Sequence, residues 1–376
     1  MARSKSPLQS LIILVLIPGW LTAGGIAALN SAVVDVESDL RAVSLDFDLS
    51  AVQQRTVEFE GDDYAAFGMP GEGLTYEYGK PMLPMISRFV IVPPDKGLEL
   101  VYSSDEPRFI DAVSPPAVCR DEDIAPLDHS PLEPLDGPYP PVIAEMSAPT
   151  VVRGYRLVKV TVYPVQFDPG SEQFIHYDHI RTEIRFTDDP PVNPVLHPHR
   201  RNRSRSFMKF IRELAVNGDR ACRDDAENLA PYLGHYLIAT HENCLEFAAP
   251  FIEWRRKSGY RVDILSLSGG EAGTAGTVQR MIQERYDQYL EDGEDPFDYL
   301  LLIGDRSSYG YPPGVGWVLQ AQVGQSVWPN PPHADYLYGC LEGNDEHPDV
   351  AMGRWASGSR QTMELAVGRT LAYEAT

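Results

Sequence analysis

Cysteine is scarce in this 376-residue chain, with four in all, at positions 119, 222, 244 and 340. That is too few for a disulfide-built scaffold. Positive charge is also short, with 32 Lys and Arg against 54 Asp and Glu and a formal charge of −22. An acidic surface repels phosphate backbones, which excludes general nucleic-acid binding as the expected function. Beyond the first thirty residues no apolar run is long enough to span a bilayer. Several catalytic signatures are missing too. There is no Gly-x-Ser-x-Gly elbow. His241-Glu242 opens a zinc-protease-like string, but Leu245 stands where its second His would be. Gly269 to Gly276 lacks the spacing of a phosphate cradle and reads as a flexible loop. What remains is ordinary globular material, 43% hydrophobic and 23% charged, of a length that suggests two or three domains. Its 32 Pro and 30 Gly point to many turns and a large β contribution.

The first thirty residues read as an address. Arg3 and Lys5 precede an apolar core, Leu11 to Ile17, and a small-residue run from Gly24 to Ala32. This is a secretory signal pattern, with cleavage expected between Ala23 and Ala32 and an N-terminal anchor as the rival reading. Export places the protein outside the cell or at its surface, off the membrane once the signal is cut. It also makes disulfides chemically allowed. The four cysteines then have three possible pairings, with free buried thiols as the other reading.

From residue 33 the apolar period is two. Ile180, Thr182, Ile184 and Phe186 alternate with Arg181, Glu183 and Arg185, predicting a half-buried strand. Val158, Val160 and Val162 alternate with Lys159, Thr161 and Tyr163 in the same way. Asp168-Pro169-Gly170 is a turn signal between two such runs. Further strands are predicted at Thr56–Phe59, Arg88–Val92 and Leu98–Tyr102, and no long helical period interrupts residues 50 to 190. The expectation is a β-sandwich over residues 33–195. The Pro-rich stretches, 126 to 141 and 190 to 198, read as exposed connections. Residues 196–230 read as a basic linker and short helix. Its run from His199 to Arg205 is either solvated linker or a site for trypsin-like processing.

The pattern then changes. Tyr236–Thr240 and Tyr299–Ile303 are short continuous apolar runs, the mark of strands covered on both faces. Further strands are predicted at Tyr260–Leu265 and Val350–Gly353. Phe247, Phe251 and Trp254 recur at helical spacing before Gly259, as do Val278, Met281, Ile282 and Tyr289. Met363, Leu365, Ala366 and Leu371 mark a final helix. Alternating strands and helices predict a parallel α/β sheet. In such sheets function collects at the carboxyl ends of strands, where Asp305 follows the 299–303 strand. Asp305 reads as a metal or catalytic residue, or as a cap on the next turn. Glu342 to Asp349 is the densest oxygen cluster, with carboxylates at Asp345 and Asp349 and Gly343 for a tight turn. Hard cations take six to eight oxygens, so calcium is one reading and a plain acidic turn the other.

Several short strings resemble gingipain-type cysteine peptidases in their order along the chain. They are Tyr236–Thr240, Trp254-Arg255-Arg256-Lys257-Ser258-Gly259-Tyr260, Tyr299 to Asp305, Asp335-Tyr336-Leu337-Tyr338, Gly343-Asn344-Asp345, Gly353-Arg354 and Tyr373-Glu374. Gly79 to Pro84 and Val162 to Phe167 resemble that family's propeptide domain. The resemblance implies a β-sandwich prodomain followed by an incomplete caspase-like parallel α/β sheet over residues 231–376, the first subdomain of a catalytic domain. It also implies secretion as a zymogen, contact between prodomain and catalytic domain, and peptide or protein substrates. Calcium is the implied cofactor, with Asp305, Asp345 and Asp349 as carboxylate ligands and Glu342 and His347 matching carbonyl ligands.

The catalytic pair does not carry over. The family's His lies in a His-Gly turn and its Cys after a later buried strand, both beyond the Tyr-Glu that here is 373–374. None of the nine His precedes Gly. The chain is therefore expected to hold the prodomain and part of the catalytic domain, and by itself not to cleave peptides. The rival reading is a secreted calcium-binding or adhesion module on the same fold.

Overall fold

Alternation at period two becomes strand throughout the first half of the chain. The computed structural model describes residues 33–59, 61–118, 135–196, 204–223, 229–306, 318–322 and 333–375. The expected signal, Cys119 and most of the basic run lie outside them. In chain order the strands are β1 (Val33–Ser38), β2 (Ala42–Asp48), β3 (Gln53–Phe59), β4 (Asp62–Gly68), β5 (Gly73–Leu74), β6 (Pro84–Val92) and β7 (Gly97–Ser104). β8 (Arg108–Asp111), β9 (Ala144–Met146), β10 (Thr150–Val152), β11 (Tyr155–Val162), β12 (Val165–Asp168), β13 (Gln173–His176) and β14 (His179–Thr187) follow.

Two antiparallel sheets, ordered β1-β2-β14-β7 and β10-β11-β6-β5, share one core. Val43, Leu45 and Phe47 of β2 and Ile180 and Ile184 of β14 meet Ile86, Val90 and Val92 of β6 and Val158, Val160 and Val162 of β11. Interdigitating inner faces of this kind make a β-sandwich. β14 is half-buried as its alternation predicts. β11 is not, because only Lys159 along it is exposed.

Over the first half of β11 the reason is a helix. α1 (Arg205–Leu214), capped by the Ser204 hydroxyl accepting from Phe207 N at 3.2 Å, lays Phe207, Met208 and Ile211 on Ile91, Tyr155 and Leu157. A short turn of helix, α2 (Gly218–Ala221), follows. Between them the Asn217 side chain bonds both backbone groups of Ile91, at 2.8 and 2.9 Å. These residues are thus packed onto the sandwich rather than strung out as a linker.

The second half is α/β. Its elements are β15 (His235–His241), α3 (Leu245–Lys257), β16 (Arg261–Leu267), α4 (Gly269–Ala272), α5 (Ala275–Glu291), β17 (Tyr299–Ile303), β18 (Ala351–Trp355) and α6 (Arg360–Glu374). All sheet pairs are parallel, in the order β16-β15-β17-β18. Leu237, Ala239, Leu300 and Leu302 face α5 through Val278, Ile282 and Tyr286. Ile238, Leu301 and Ile303 face α3 and α6 through Phe251, Ile252, Met363 and Val367. Both faces are covered, which is why these strands read as unbroken apolar runs. Gly259, at φ +90°, stops α3 in the left-handed conformation that favours glycine. The glycine-rich string after β16, where the sequence predicts a flexible loop, is largely helical. Ser268 and Glu271 form a capping box that starts α4, and Gly276 already lies within α5.

Candidate functional site at the two ends of the parallel sheet

Because all four strands run the same way, the sheet has an amino end and a carboxyl end. At the carboxyl end, Arg354 of β18 is the organiser. It makes a two-pronged pair with Asp335, at 2.6 and 2.8 Å, and donates to the carbonyls of Gly304 and Leu319, at 3.1 and 2.7 Å. Three of the strings read from the sequence therefore meet at one guanidinium. Planar, five-donor Arg suits this bidentate work. Another pair of strings meets at the opposite, amino end, where Glu374 accepts from Trp254 Nε1 at 2.9 Å and pairs with Arg255. The Arg255 guanidinium lies 5.1 Å from the centre of the Tyr236 ring at the start of β15. Asp305 leaves the end of β17. Among the described residues its carboxylate accepts from Arg306 N, at 2.7 Å. His241 ends β15 buried, its ring accepting from Asn243 N at 3.2 Å, with burial lowering its pKa.

The amino end is built from two halves of the chain. β10 and β11 form a hairpin whose two-residue turn is Arg153-Gly154, at φ 49° and 81°. Both signs are positive, as a tight hairpin turn of the I′ kind requires. The Arg153 side chain is 0% exposed. It is ion-paired with Asp298, donates to the Pro296 carbonyl at 3.2 Å and stacks 4.5 Å from the centre of the Phe207 ring. Asp298 immediately precedes β17 and also accepts from His235 N, at 2.7 Å, where β15 begins. The His235 ring in turn meets Asp263 at 2.9 Å, and Tyr289 donates to the same carboxylate at 2.6 Å. These hydrogen bonds, that from His235 foremost, hold the Asp263 carboxyl well below its ordinary range.

The acidic segment lies at this end as well. Asp345 Oδ2 accepts from Val151 N of β10 at 2.9 Å and from the Asn193 amide at 2.7 Å, while its Oδ1 accepts from His347 N. Asp349 accepts from Arg153 N at 2.9 Å with one oxygen, and from Leu341 N and Glu342 N with the other. Burial pushes the Asp349 carboxyl up to about 7, helped by nearby Glu342 and opposed by those N–H donors. Glu342 accepts from the Tyr286 hydroxyl at 2.5 Å. Gly343, at φ +76°, passes so close to the hairpin that a Cβ there would stand 3.0 Å from that of Val151.

The five residues expected to bind calcium are therefore not gathered in one place. Glu342, Asp345, His347 and Asp349 share the loop before β18, whereas Asp305 follows β17 at the other end. The strands separate them by roughly 20 Å, at about 3.3 Å per residue. Among the described residues no group of three or more Asp, Glu, His or Cys converges as a metal cage. The loop carboxylates instead serve N–H donors, half of them from the sandwich, so in this arrangement the donor set does not fit a cation. Neither Cys244 nor Cys340 is an activated nucleophile. Burial raises their thiols to about 12 and about 11, and both are free thiols.

Arg153, Asn193 and Asp298 belong to no functional motif visible in the sequence. Arg-Gly between Val151-Val152 and Tyr155 was a hairpin signal, and Asp298 directly precedes an apolar strand. Asn193 was taken up in a Pro-rich connection.

A β-sandwich docked on the amino end of a parallel α/β sheet defines the class by architecture, a two-part β plus α/β protein. The sequence model of Propeptide_C25 matches residues 26–196 and that of Peptidase family C25 matches residues 231–376. The chain belongs to the gingipain-type cysteine peptidase family. Gingipain R2 of Porphyromonas gingivalis is 23% identical over 371 positions, covering 93% of this chain and 47% of that protein. Lys-gingipain of the same organism is 21% identical over 344 positions, covering 87% and 19%. The chain thus spans about half the length, or less, of these curated relatives. Among solved structures, a complex of the P. gingivalis RgpB pro- and mature domains aligns with TM-score 0.41 and 19% identity, over 51% of this chain and 98% of that one.

Proposed function

We propose that this chain is the N-terminal portion of a secreted cysteine endopeptidase zymogen, and that alone it does not hydrolyse peptides. One observation carries the reading. A propeptide-like sandwich and a peptidase-like α/β sheet lie in tandem and are docked through buried contacts. In the complete enzyme a Cys thiolate would attack the scissile carbonyl, with a His as acid and base. Burial raises the pKa values of the Cys244 and Cys340 thiols rather than lowering them. The test is an assay of this chain and of the longer gene product on mixed peptide substrates, with a thiol-directed peptidyl probe. The expected result is labelling and turnover only in the longer product, through a Cys after residue 376 that follows a His-Gly turn. A longer product without that turn, or without activity, would favour the non-catalytic module.

Calcium remains part of the proposal for the loop 342–349 once the hairpin has left it, when Asp345 and Asp349 lose the sandwich's N–H groups. It is tested by the calcium dependence of thermal stability in Asp345→Ala and in Asp305→Ala. If neither changes that dependence, calcium binds elsewhere or not at all. Export is proposed from the basic and apolar leader. It predicts a mature N-terminus between residues 24 and 33 when the secreted protein is sequenced.

A further inference from the structure

We propose that the hairpin tip at Arg153 is a docking key, and that the acidic loop with Asp298 is a lock built to take a strand edge and its arginine. The contact is specific in three ways. Outward-facing N–H groups of an edge strand recur every second residue. Here the N–H groups of Val151 and Arg153 find one carboxylate each, Asp345 and Asp349. The loop thus closes the open edge of β10 with side-chain oxygens where a neighbouring strand would offer carbonyls. The next feature is the guanidinium. It passes beyond the edge into a fully buried slot between Phe207, Pro296 and Asp298, the last fixed by His235 N. A buried charge without its counter-ion is strongly unfavourable, so each unit is incomplete without the other. Third, Asn193 ties the ends together, bonding the Pro149 carbonyl, Asp345 and Asn344 N.

The lock sits at the amino end of the sheet, the strands' length away from Asp305 and the carboxyl end. Docking through it therefore needs no group from the end where α/β sheets do their chemistry. The segment expected to cradle calcium is, in this state, a receptor for a peptide edge. The contact stands on geometry alone. Its consequence, a prodomain that stays bound after the chain is cut, deepens the zymogen reading and rests on it.

The experiment uses the full chain carrying a specific protease sequence within residues 224–228, cut after folding, with the two pieces followed by gel filtration and titration. The wild-type pieces are expected to travel together, with or without EDTA. Arg153→Ala is expected to weaken their association by more than about 100-fold, the scale of removing one partner from a buried ion pair. Arg153→Lys should fall between, since the ammonium lacks the planar fork. Should Arg153→Ala fail to fold, Asp298→Asn strands the same guanidinium from the other side of the pair and should weaken the association to a similar degree. In the uncut chain, hydrogen exchange should rise at Leu341, Glu342 and Val151 in Arg153→Ala and stay unchanged across Leu237–Ala239. Pieces that remain bound in both variants overturn the proposal, and so does release of the wild type by EDTA. Peptidase activity is not read, so this outcome is independent of whether the longer product is an enzyme.

Discussion

The two ends of the parallel sheet are finished by different parts of the chain. At the carboxyl end, Arg354 gathers Asp335, Gly304 and Leu319 from within the α/β unit itself. At the amino end, Asp298, Asp345 and Asp349 receive donors from the sandwich. Among the described residues, the first set of contacts is internal to the unit and the second is completed from outside. A unit whose buried carboxylates depend on a neighbour folds best with that neighbour present.

That contrast is open to attack from both sides. The largest effect is expected at Arg354. Arg354→Ala strands the Asp335 carboxylate and two carbonyls, and should lower the stability of the α/β unit by about 3–5 kcal/mol in denaturant unfolding. Association with the sandwich in the cut chain should change little if the ends are independent. Asp263 comes next. Its folded pKa is depressed, so its contribution is present above the ordinary carboxylate range and is lost as pH falls through the folded value. Thermal melts should show the wild type losing stability below about pH 4. Asp263→Asn should lose about 2 kcal/mol at neutral pH, the scale of hydrogen bonds to a charged group, and show a flatter acid limb. Glu374→Gln keeps a partner for Trp254 but loses the charge beside Arg255, and should cost about 1 kcal/mol. The smallest effect is expected at Asp305. Asp305→Ala should stay within about 0.5 kcal/mol in apo protein, because the bond to Arg306 N is local and partly exposed. A large loss there would show that the carboxyl end is less self-contained than the contacts imply.

How far the sequence could be read follows the same division. Strands whose two faces differ, such as β14, announce themselves by alternation. Continuous apolar runs such as β17 announce burial on both faces. β11 departs from simple alternation because helix α1, from far along the chain, covers Tyr155 and Leu157, while Thr161 is buried in a hydroxyl bond with Ser87 of β6. The strings around Trp254, Asp335, Arg354 and Glu374 were visible, but their purpose as mutual partners was not. Arg153 and Asp298 lie 145 positions apart, and an arginine in a hairpin turn looks like a solvated residue until its partner is placed. The acidic loop showed its charge but not what faces it. Local pattern reports on the environment of an element, whereas a contact between domains belongs to neither element alone.

The most direct test of the docking account is a double-mutant cycle between Arg153 and Asp298, measured as association in the cut chain with Arg153→Met, Asp298→Asn and the pair. The account predicts that each single change weakens association strongly and that the double loses far less than their sum, a coupling of about 2–3 kcal/mol. Additive losses, with coupling near zero, would contradict it and return the hairpin tip to an incidental contact.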